Sequence, residues 1–356
     1  MSWLANARLG QQGLRRSLAI ALPAALIGAT AWQGWQRAMA PAAAPEAAQP
    51  LRVHIAAGTP AQRIGRKLEA LGVIRSQWGW RAWLLWQQLT PGSASLQAGT
   101  YRLSPAQPLP AVAERIQSGD VLTVSIAIPP GESIRQMAAR LEAQGHFSAQ
   151  AFRQAARQVP SERYPWLPPD LPHLEGFLFP QTYRFRLDEL TPQRLVRAML
   201  ERFEQEALPL YRQQRDRHGL SLREWVTLAS IVEREAAVAR ERPRIAGVFL
   251  NRLRQGMPLQ ADPTIEYALG TRQTPDNPLT ERQISTRSPY NTYRQTGLPP
   301  TPIASPGLGS LKAVLAPAQT EDLYFVARYD GTHIFSETLA AHRAAKRRVR
   351  RRQDAP

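Results

Sequence analysis

Two segments of the chain repeat the same order of apolar and polar positions. The first runs from Val53 to Gly72, and the second runs from Ile126 to Gly145, 73 residues further on. In each segment, apolar residues first alternate with others up to a turn glycine and then recur at helical spacing up to a second glycine. The pattern therefore predicts two copies of a strand, a tight turn and a helix that ends at glycine. Such modules either bind extended polymers or have a purely structural role.

Between the two copies, the pattern predicts a helix over residues 77–89 and a short strand over residues 99–103. The helix is rich in tryptophan, with Trp78, Trp80, Trp83 and Trp86. Tryptophan rings at this spacing either pack into a core or stack on sugar rings, and packing is the commoner use. The front of the molecule is therefore expected to consist of small strand-helix modules.

A further helix, predicted over residues 225–239, carries two glutamates among apolar residues. At about 100° per residue, Glu235 falls at the edge of the apolar cluster, whereas Glu233 lies on a different side of the helix. A carboxyl group held against an apolar face has its charged form disfavoured, which raises its pKa and suits a general acid. The alternative is that Glu235 forms an ion pair with a neighbouring arginine at the helix rim.

The first 50 residues predict a membrane anchor and a linker. Three arginines precede residues 17–35, a run of 19 residues without a charged side chain. At about 1.5 Å rise per residue, this run is just long enough to cross a bilayer. The basic side of such a segment stays in the cytoplasm. We therefore expect a cytoplasmic segment 1–16, an uncleaved transmembrane helix 17–35, an Ala/Pro-rich linker 36–50, and a periplasmic remainder of a single-pass inner-membrane protein.

The composition adds a strong positive charge. Lys and Arg number 45 against 28 Asp and Glu, which gives a net charge of +17. Part of the excess lies in the tail 343–356, which we expect to be solvated or frayed, with contact to lipid headgroups as the alternative. No nucleic-acid motif accompanies this charge, and the basic chain is expected outside the cytoplasm, so no nucleic-acid role is expected.

The sequence lacks the residues that several common kinds of catalytic or metal site require. The chain has no cysteine, and its six histidines do not show the spacing of metal ligands. Neither a Gly-x-Ser-x-Gly elbow nor a glycine-rich phosphate loop is present. We therefore expect neither a metal nor a cofactor.

Eight short motifs follow one another along the rest of the chain. They are LEGFLFPQTY (174–183), ASIVERE (229–235), VFLNRL (248–253), MPLQADPT (257–264), YNTY (290–293), GLPP (297–300), IASPG (303–307) and YFV (324–326). In this order and spacing, the chain resembles the endolytic murein transglycosylases of the YceG-like family over roughly residues 51–342. The resemblance implies an α+β fold with a LysM-like module over 51–125 and a YceG-like catalytic domain over 126–342.

The resemblance also implies a function. Enzymes of this family are anchored in the membrane and cut peptidoglycan glycan strands internally, between N-acetylmuramic acid and N-acetylglucosamine. They do so without water, leave 1,6-anhydro-muramyl ends, terminate growing strands and work near penicillin-binding proteins. The catalytic residue of the family is the second glutamate of its Glu-x-Glu motif, which is Glu235 here. Helical phase selects the same residue.

The matching motifs supply further candidates for groups that support the transition state. These are Gln260, Asp262, Tyr290 and Asn291, with Glu233 held in reserve. Each has a structural alternative: Asp262 is also a suitable helix N-cap, and Tyr290 also fits a core residue with a bonded hydroxyl. Glu175, in a Leu-Glu-Gly turn, fits a structural role better than that of a second catalytic carboxylate.

Two positions depart from the pattern that the resemblance implies. Gln181 stands where the family commonly has Asp, and Glu266 stands where an apolar residue is usual.

Two other functions stay open. A hydrolytic muramidase would need a second carboxylate about 6.5–9.5 Å from Glu235 to hold a water, or about 5 Å away as nucleophile, and Asp262 or Glu266 are the candidates. A membrane-tethered peptidoglycan-binding scaffold without catalysis is the second alternative.

Overall fold

The chain folds into two compact units. The computed structural model describes residues 26, 28–89, 95–274, 277–328 and 330–353. The N-terminal unit comprises Met1–Val124 and Arg184–Glu189, and the C-terminal unit comprises Ser125–Tyr183 and Leu190–Pro356. Many helices and three short two-stranded sheets make up these units, which confirms the predicted α+β class.

The N-terminal unit is a β-hairpin packed against helices. Its elements are helix α1 over 28–39, a 3₁₀ turn Pro45–Ala47, β1 (Leu51–Ile55), α2 (Ala61–Ala70), α3 (Gln77–Gln88), β2 (Gly99–Leu103), α4 (Leu109–Ser118) and a 3₁₀ turn Leu187–Glu189. The strands β1 and β2 pair antiparallel, from Leu51 opposite Leu103 to Ile55 opposite Gly99. Both predicted elements between the repeats, the tryptophan-rich helix and the strand 99–103, are therefore confirmed.

The core of this unit lies between one face of the hairpin and the helices. Val53 and Tyr101 are buried on the inner face, whereas Arg52 on the opposite face is exposed. Trp80 of α3 is fully buried, and its indole N–H donates to the carbonyl of Ala61 at 2.9 Å. A tryptophan that keeps a bonded N–H in the core is a large apolar anchor.

The C-terminal unit is mainly helical. Its elements are α5 (Ile134–Ala143), α6 (Ala149–Arg157), α7 (Pro192–Glu206), α8 (Leu208–His218), α9 (Leu222–Glu235), a 3₁₀ turn Ala239–Glu241, α10 (Arg242–Arg254), α11 (Asp262–Leu269), α12 (Glu281–Ile284), α13 (Leu308–Leu315), β5 (Tyr324–Ala327), β6 (His333–Ser336) and α14 (Leu339–Gln353). The strands β5 and β6 pair antiparallel. A third sheet joins β3 (Thr123–Ala127) to β4 (Thr182–Arg186), and the boundary between the units falls within these strands.

The helix α9 forms the centre of the C-terminal unit. A capping box begins it, in which Ser221 and Glu224 bond each other's backbone N–H groups. All residues from Trp225 to Val232 are buried, and the indole N–H of Trp225 donates to the carbonyl of Leu311 at 3.0 Å. α9 packs against α10, α11 and α13. A helix that is apolar all round requires such cover on all sides.

The helix α9 ends four residues earlier than predicted, at Glu235. Ala236 leaves the helix with an extended backbone (φ −85°, ψ 99°), although its N–H still bonds the carbonyl of Val232. The predicted continuation to residue 239 is therefore wrong. Because the helix ends early, Glu235 is its last residue, and no further turn of helix follows it.

The predicted internal repeat is present in the backbone. α5 begins and ends 73 residues after α2, and the glycines that follow, Gly72 and Gly145, have positive φ values of 69° and 73°. That conformation favours glycine because it has no Cβ. The strands of the two copies pair differently, β1 with β2 and β3 with β4, so the repeat is one of local form.

The N-terminal predictions lie largely outside the described residues, and the C-terminal tail differs from its prediction. Most of the predicted transmembrane helix, residues 17–25 and 27, lies outside the described residues, and so does the predicted cytoplasmic segment 1–16. None of the helices in the described ranges is both long and apolar enough to cross a membrane. The basic tail is not frayed over its described part: α14 continues to Gln353, and Val349 is buried.

We expect Gly65→Ala in α2 to destabilise the N-terminal unit. A Cβ at Gly65 would lie 2.5 Å from Cδ1 of the buried Trp80 ring. The overlap should cost about 1–3 kcal/mol, which exceeds the gain of roughly 1 kcal/mol in helix propensity. Urea unfolding of the full chain, followed by tryptophan fluorescence, would measure the change. Arg66→Ala, at an exposed position of the same helix, is the control and should change stability little; an equal effect of both variants would contradict the overlap.

Candidate active site

A groove of about 820 Å³ lies at the C-terminal end of α9. Its walls come from the Pro-Pro-Gly turn after β3, from α11 and the chain that follows it, and from β5 and β6. The side chains that line it include Glu132, Gln136, Arg234, Glu235, Glu266, Arg272, Gln273 and His333. The lining is thus mostly polar, as suits a hydroxyl-rich ligand.

Glu235 is a partly buried acid that faces this groove. Burial raises the pKa of its carboxyl group to about 8, and the negative charges of Asp262 and Glu266 act in the same direction. The positive charges of Arg234 and Arg252 oppose them but are weaker. A carboxyl group with this pKa is largely protonated at neutral pH.

The carboxyl group of Glu235 is also free to act. Among the residues that the structure describes, none forms a hydrogen bond or ion pair with it. Its proton is therefore available to a ligand in the groove. A protonated carboxyl group beside a polar groove is what general acid catalysis requires.

Glu233, two residues earlier, is held in a different way. Its carboxylate accepts hydrogen bonds from the backbone N–H of Gly307 (3.0 Å), the hydroxyl of Ser310 (2.7 Å) and the guanidinium of Arg242 (3.2 Å). These three donors occupy both carboxylate oxygens. Glu233 therefore joins the start of α13 to α9, and it also lines the groove beside Glu235.

Arg234 forms the contact that the sequence did not reveal. Its guanidinium donates to Glu266 at 2.5 Å and to the carbonyl of Gly131 at 3.3 Å. The other carboxylate oxygen of Glu266 accepts the backbone N–H of Gln273 at 2.9 Å. The one sequence signal for Arg234 is its place between the two glutamates, since its partner lies 32 residues away.

Asp262 lies close enough to Glu235 to raise its pKa, but it does not line the groove. One of its oxygens accepts the hydroxyl of Tyr293 at 2.5 Å, and the other accepts the amide of Gln273 at 3.0 Å. The alternative role as a helix N-cap is wrong, because Ala261 occupies that position and α11 has no side-chain cap. Burial and the charge of Asp262 raise the pKa of Tyr293, which keeps its hydroxyl a donor.

The structure places the remaining candidates outside the groove. The side-chain amide of Asn291 donates to the carbonyls of Ile284 (2.8 Å) and Thr286 (2.7 Å), so this buried residue fixes its own loop. The hydroxyl of Tyr290 bonds that of Thr301 at 2.8 Å. Gln260 has an exposed side chain and a left-handed backbone (φ 48°), and its N–H donates to the carbonyl of Thr292.

Glu175 is a buried carboxyl group away from the groove. It accepts the backbone N–H of Ile134 at 2.9 Å and the hydroxyl of Tyr267 at 3.2 Å, and burial raises its pKa to about 8. The contact places it at the N-terminus of α5, where it holds three segments together. These bonds describe a structural residue. Gln181, in the same motif, accepts a hydrogen bond from Arg202 at 2.5 Å.

Comparison with known proteins gives a family match and similar chains. The model described as "YceG-like family" matches residues 53–348. A protein named endolytic murein transglycosylase from Bacillus subtilis (strain 168) is 30% identical over 312 residues, covering 83% of this chain and 84% of the relative. A protein of the same name from Streptococcus pneumoniae serotype 2 is 31% identical over 304 residues, or 77% of this chain and 54% of the relative.

A solved structure agrees with these sequence matches. The 2.6 Å crystal structure of the yceG-like protein lmo1499 from Listeria monocytogenes superposes with a TM-score of 0.57 at 30% sequence identity. The match covers 83% of this chain and 99% of the Listeria chain.

We expect Glu266→Gln to lower the pKa of Glu235. The substitution removes a negative charge that raises this pKa and leaves the positive charge of Arg234 uncompensated, and both changes favour the carboxylate. Carbon-13 NMR titration of the glutamate carboxyl groups would follow Glu235 directly. Glu281→Gln, at an exposed position of α12, should leave the titration unchanged. An unchanged or higher midpoint in Glu266→Gln would show that Glu266 does not act on Glu235 through its charge.

Proposed function

The chain belongs to the YceG-like family, and from this membership we infer that it is a peptidoglycan lytic transglycosylase that cuts glycan strands internally. Two relatives that share about 30% of its residues are named endolytic murein transglycosylases. The observation that carries the assignment to a site is Glu235, a carboxyl group with a pKa of about 8 that faces a polar groove and has no protein partner among the described residues.

We propose that the reaction proceeds without water and leaves 1,6-anhydro-muramyl ends. Glu235 donates its proton to the glycosidic oxygen as the bond from C1 of N-acetylmuramic acid to O4 of N-acetylglucosamine breaks. The 6-hydroxyl of the same muramic acid then attacks C1, and the Glu235 carboxylate removes its proton. The leaving sugar gains one proton and the attacking hydroxyl loses one. The acid is therefore regenerated, and no second carboxylate is needed.

The state of the neighbouring acids supports this route over hydrolysis. A hydrolase of the usual kind needs a second carboxylate to activate a water or to attack C1. The oxygens of Asp262 are bonded to Tyr293 and Gln273, and those of Glu266 are bonded to Arg234 and the backbone of Gln273. Both oxygens of each carboxylate are thus already engaged by protein groups, which leaves neither acid free to hold a water or to attack C1.

We further propose that the enzyme is a single-pass protein of the inner membrane, anchored by residues 17–35, with its bulk in the periplasm. The uncharged run behind three arginines supports this orientation. There the enzyme would terminate nascent glycan strands beside penicillin-binding proteins, as the resemblance to its family implies. The LysM-like segment 51–125 would lie between the anchor and the catalytic domain.

The central test is the substitution Glu235→Gln. Loss of the general acid should lower the rate of strand cleavage by a factor of about 10² to 10⁴. Mass spectrometry of uncrosslinked glycan strands after incubation should detect anhydro-muramyl ends with the unchanged protein and almost none with the variant. Glu337→Gln, at an exposed position outside the groove, is the matched control and should cleave normally.

The products separate the alternatives. Reducing ends instead of anhydro ends would identify a hydrolase with a second functional carboxylate. Equal absence of cleavage by the unchanged protein and by Glu235→Gln, on strands that a control enzyme cuts, would favour the binding scaffold.

The rate of the unchanged enzyme should also depend on pH. Because Glu235 must be protonated to act as the acid, the rate should fall as the pH rises through about 8.

The predicted topology has its own test. In cells, the full chain should stay in the membrane pellet after carbonate extraction, and a C-terminal epitope should be digested by protease added to spheroplasts. A cytoplasmic protein with the same epitope controls for lysis. An epitope that survives protease in intact spheroplasts would contradict the proposed orientation.

A further inference from the structure

The helix α3 is apolar on two opposite sides. One side faces the core of the N-terminal unit through Trp80 and Trp83, which are buried. The other side is exposed to solvent and is also apolar: the exposed fractions are 68% for Trp78, 61% for Leu85 and 84% for Leu89. These three residues lie in one line along the helix, because their spacing of seven and four residues returns to the same face. An apolar stripe of this kind on a surface helix marks an interaction site.

The helix α1 lies next to this stripe. Its residues Trp35 and Met39 pack against the core of the unit, and a Cβ at Gly79 of α3 would lie 2.8 Å from the side chain of Ala38. An apolar groove of about 900 Å³ runs along α1 and α3, lined by Gly28, Ala31, Trp32, Trp35, Met39, Trp83, Trp86 and Pro110. Among the described residues that line this groove, none has a charged, amide or hydroxyl side chain.

We propose that this surface, formed by Trp32, Trp78, Leu85, Trp86 and Leu89, lies in the interfacial layer of a lipid bilayer and lays the N-terminal unit against the membrane. The first argument is continuity. Residues 17–35 form the uncharged run of the sequence, and the last turns of that run are the part of α1 that lines the groove. A run that enters the bilayer therefore brings the stripe of α3 to the bilayer surface with it.

The chemistry of the surface favours lipid over sugar. Binding of a glycan to tryptophan requires hydrogen-bond partners beside the aromatic ring for the sugar hydroxyls, and the described residues that line the groove around Trp32 and Trp86 offer no such side chain. Leucines and tryptophans together are the side chains that enter the boundary between headgroups and acyl chains. Arg81, whose guanidinium lies 5.1 Å from the centre of the Trp78 ring, is placed to reach a lipid phosphate from the same edge.

The proposal goes beyond the reaction and shares only the membrane anchor with the proposed function. It predicts that the exposed side of α3 contacts lipid, whereas the outer face of the β1–β2 hairpin faces water. Because the chain contains no cysteine, single cysteines can be introduced without a background. Leu85→Cys and Leu89→Cys probe the stripe, and Arg52→Cys on the exposed outer face of β1 is the matched control.

The test uses the full chain in vesicles of phosphatidylethanolamine and phosphatidylglycerol, with a nitroxide label on each cysteine. Electron paramagnetic resonance measures collisions of the label with oxygen, which concentrates in lipid, and with a water-soluble nickel chelate. We expect the oxygen-to-nickel collision ratio at positions 85 and 89 to exceed the ratio at position 52 severalfold. In detergent-free buffer without vesicles, with the chain held in an amphipathic polymer, the difference should shrink.

Three results would overturn the proposal. Equal ratios at the three positions in protein that floats with the vesicles would show that α3 does not contact lipid, while leaving the anchor intact. Failure of the protein to float with vesicles would remove the anchor and the surface together. Water-exposed labels at 85 and 89 that become immobilised only when soluble glycan strands are added would assign the stripe to the polymer instead.

Discussion

The proposed reaction depends on keeping one carboxyl group protonated at the end of a buried helix. Glu235 is the last residue of α9, and the C-terminal end of a helix carries a partial negative charge from carbonyl groups that lack partners. Burial disfavours the carboxylate further, and two acids nearby add their repulsion. All these effects act on the same equilibrium and in the same direction. The early end of α9 is therefore part of the chemistry, since an additional turn of helix would move Glu235 away from the terminal carbonyls.

The acids around Glu235 differ from it in one respect. Their carboxylates accept hydrogen bonds from other residues, whereas none of the described residues donates to Glu235. Glu233 is bonded to α13 and Arg242, Asp262 to Tyr293, and Glu266 to Arg234. Each of these contacts joins two segments that are separate in the sequence, so the bonds that hold these acids also fix the walls of the groove. Buried charges that are paired and hydrogen-bonded are tolerated, whereas an unpaired acid gives up its charge instead. Among these four acids, Glu235 is the one without a partner in the described residues, so its carboxyl group takes up a proton.

The sequence predicted the secondary-structure elements well and the contacts between them poorly. The strand and helix of each repeat and the tryptophan helix follow from periodicity, which depends on residues within one or two turns of each other. Periodicity also singles out Glu235 as a candidate acid. The roles of Asn291 and Tyr290 depend instead on neighbouring loops, and the bond from Asp262 to Tyr293 joins residues 31 positions apart. Helical phase placed Glu233 and Glu235 on different sides of α9, but it could not show that Glu233 meets Ser310 or that both residues line one groove. Such pairings exist only after the helices have packed.

Glu266 balances the charge of an arginine that lies beside Glu235. An apolar residue at this position would leave Arg234 beside Glu235 with no acid to balance it, and the guanidinium would lower the pKa of Glu235. In this chain Glu266 forms an ion pair with Arg234 at 2.5 Å, and its negative charge offsets the positive charge of the arginine. In the proposed reaction, Glu266 is therefore not a second catalytic group. Its charge holds Arg234, and its repulsion helps to keep the proton on Glu235, which the proposed cleavage without a second carboxylate requires.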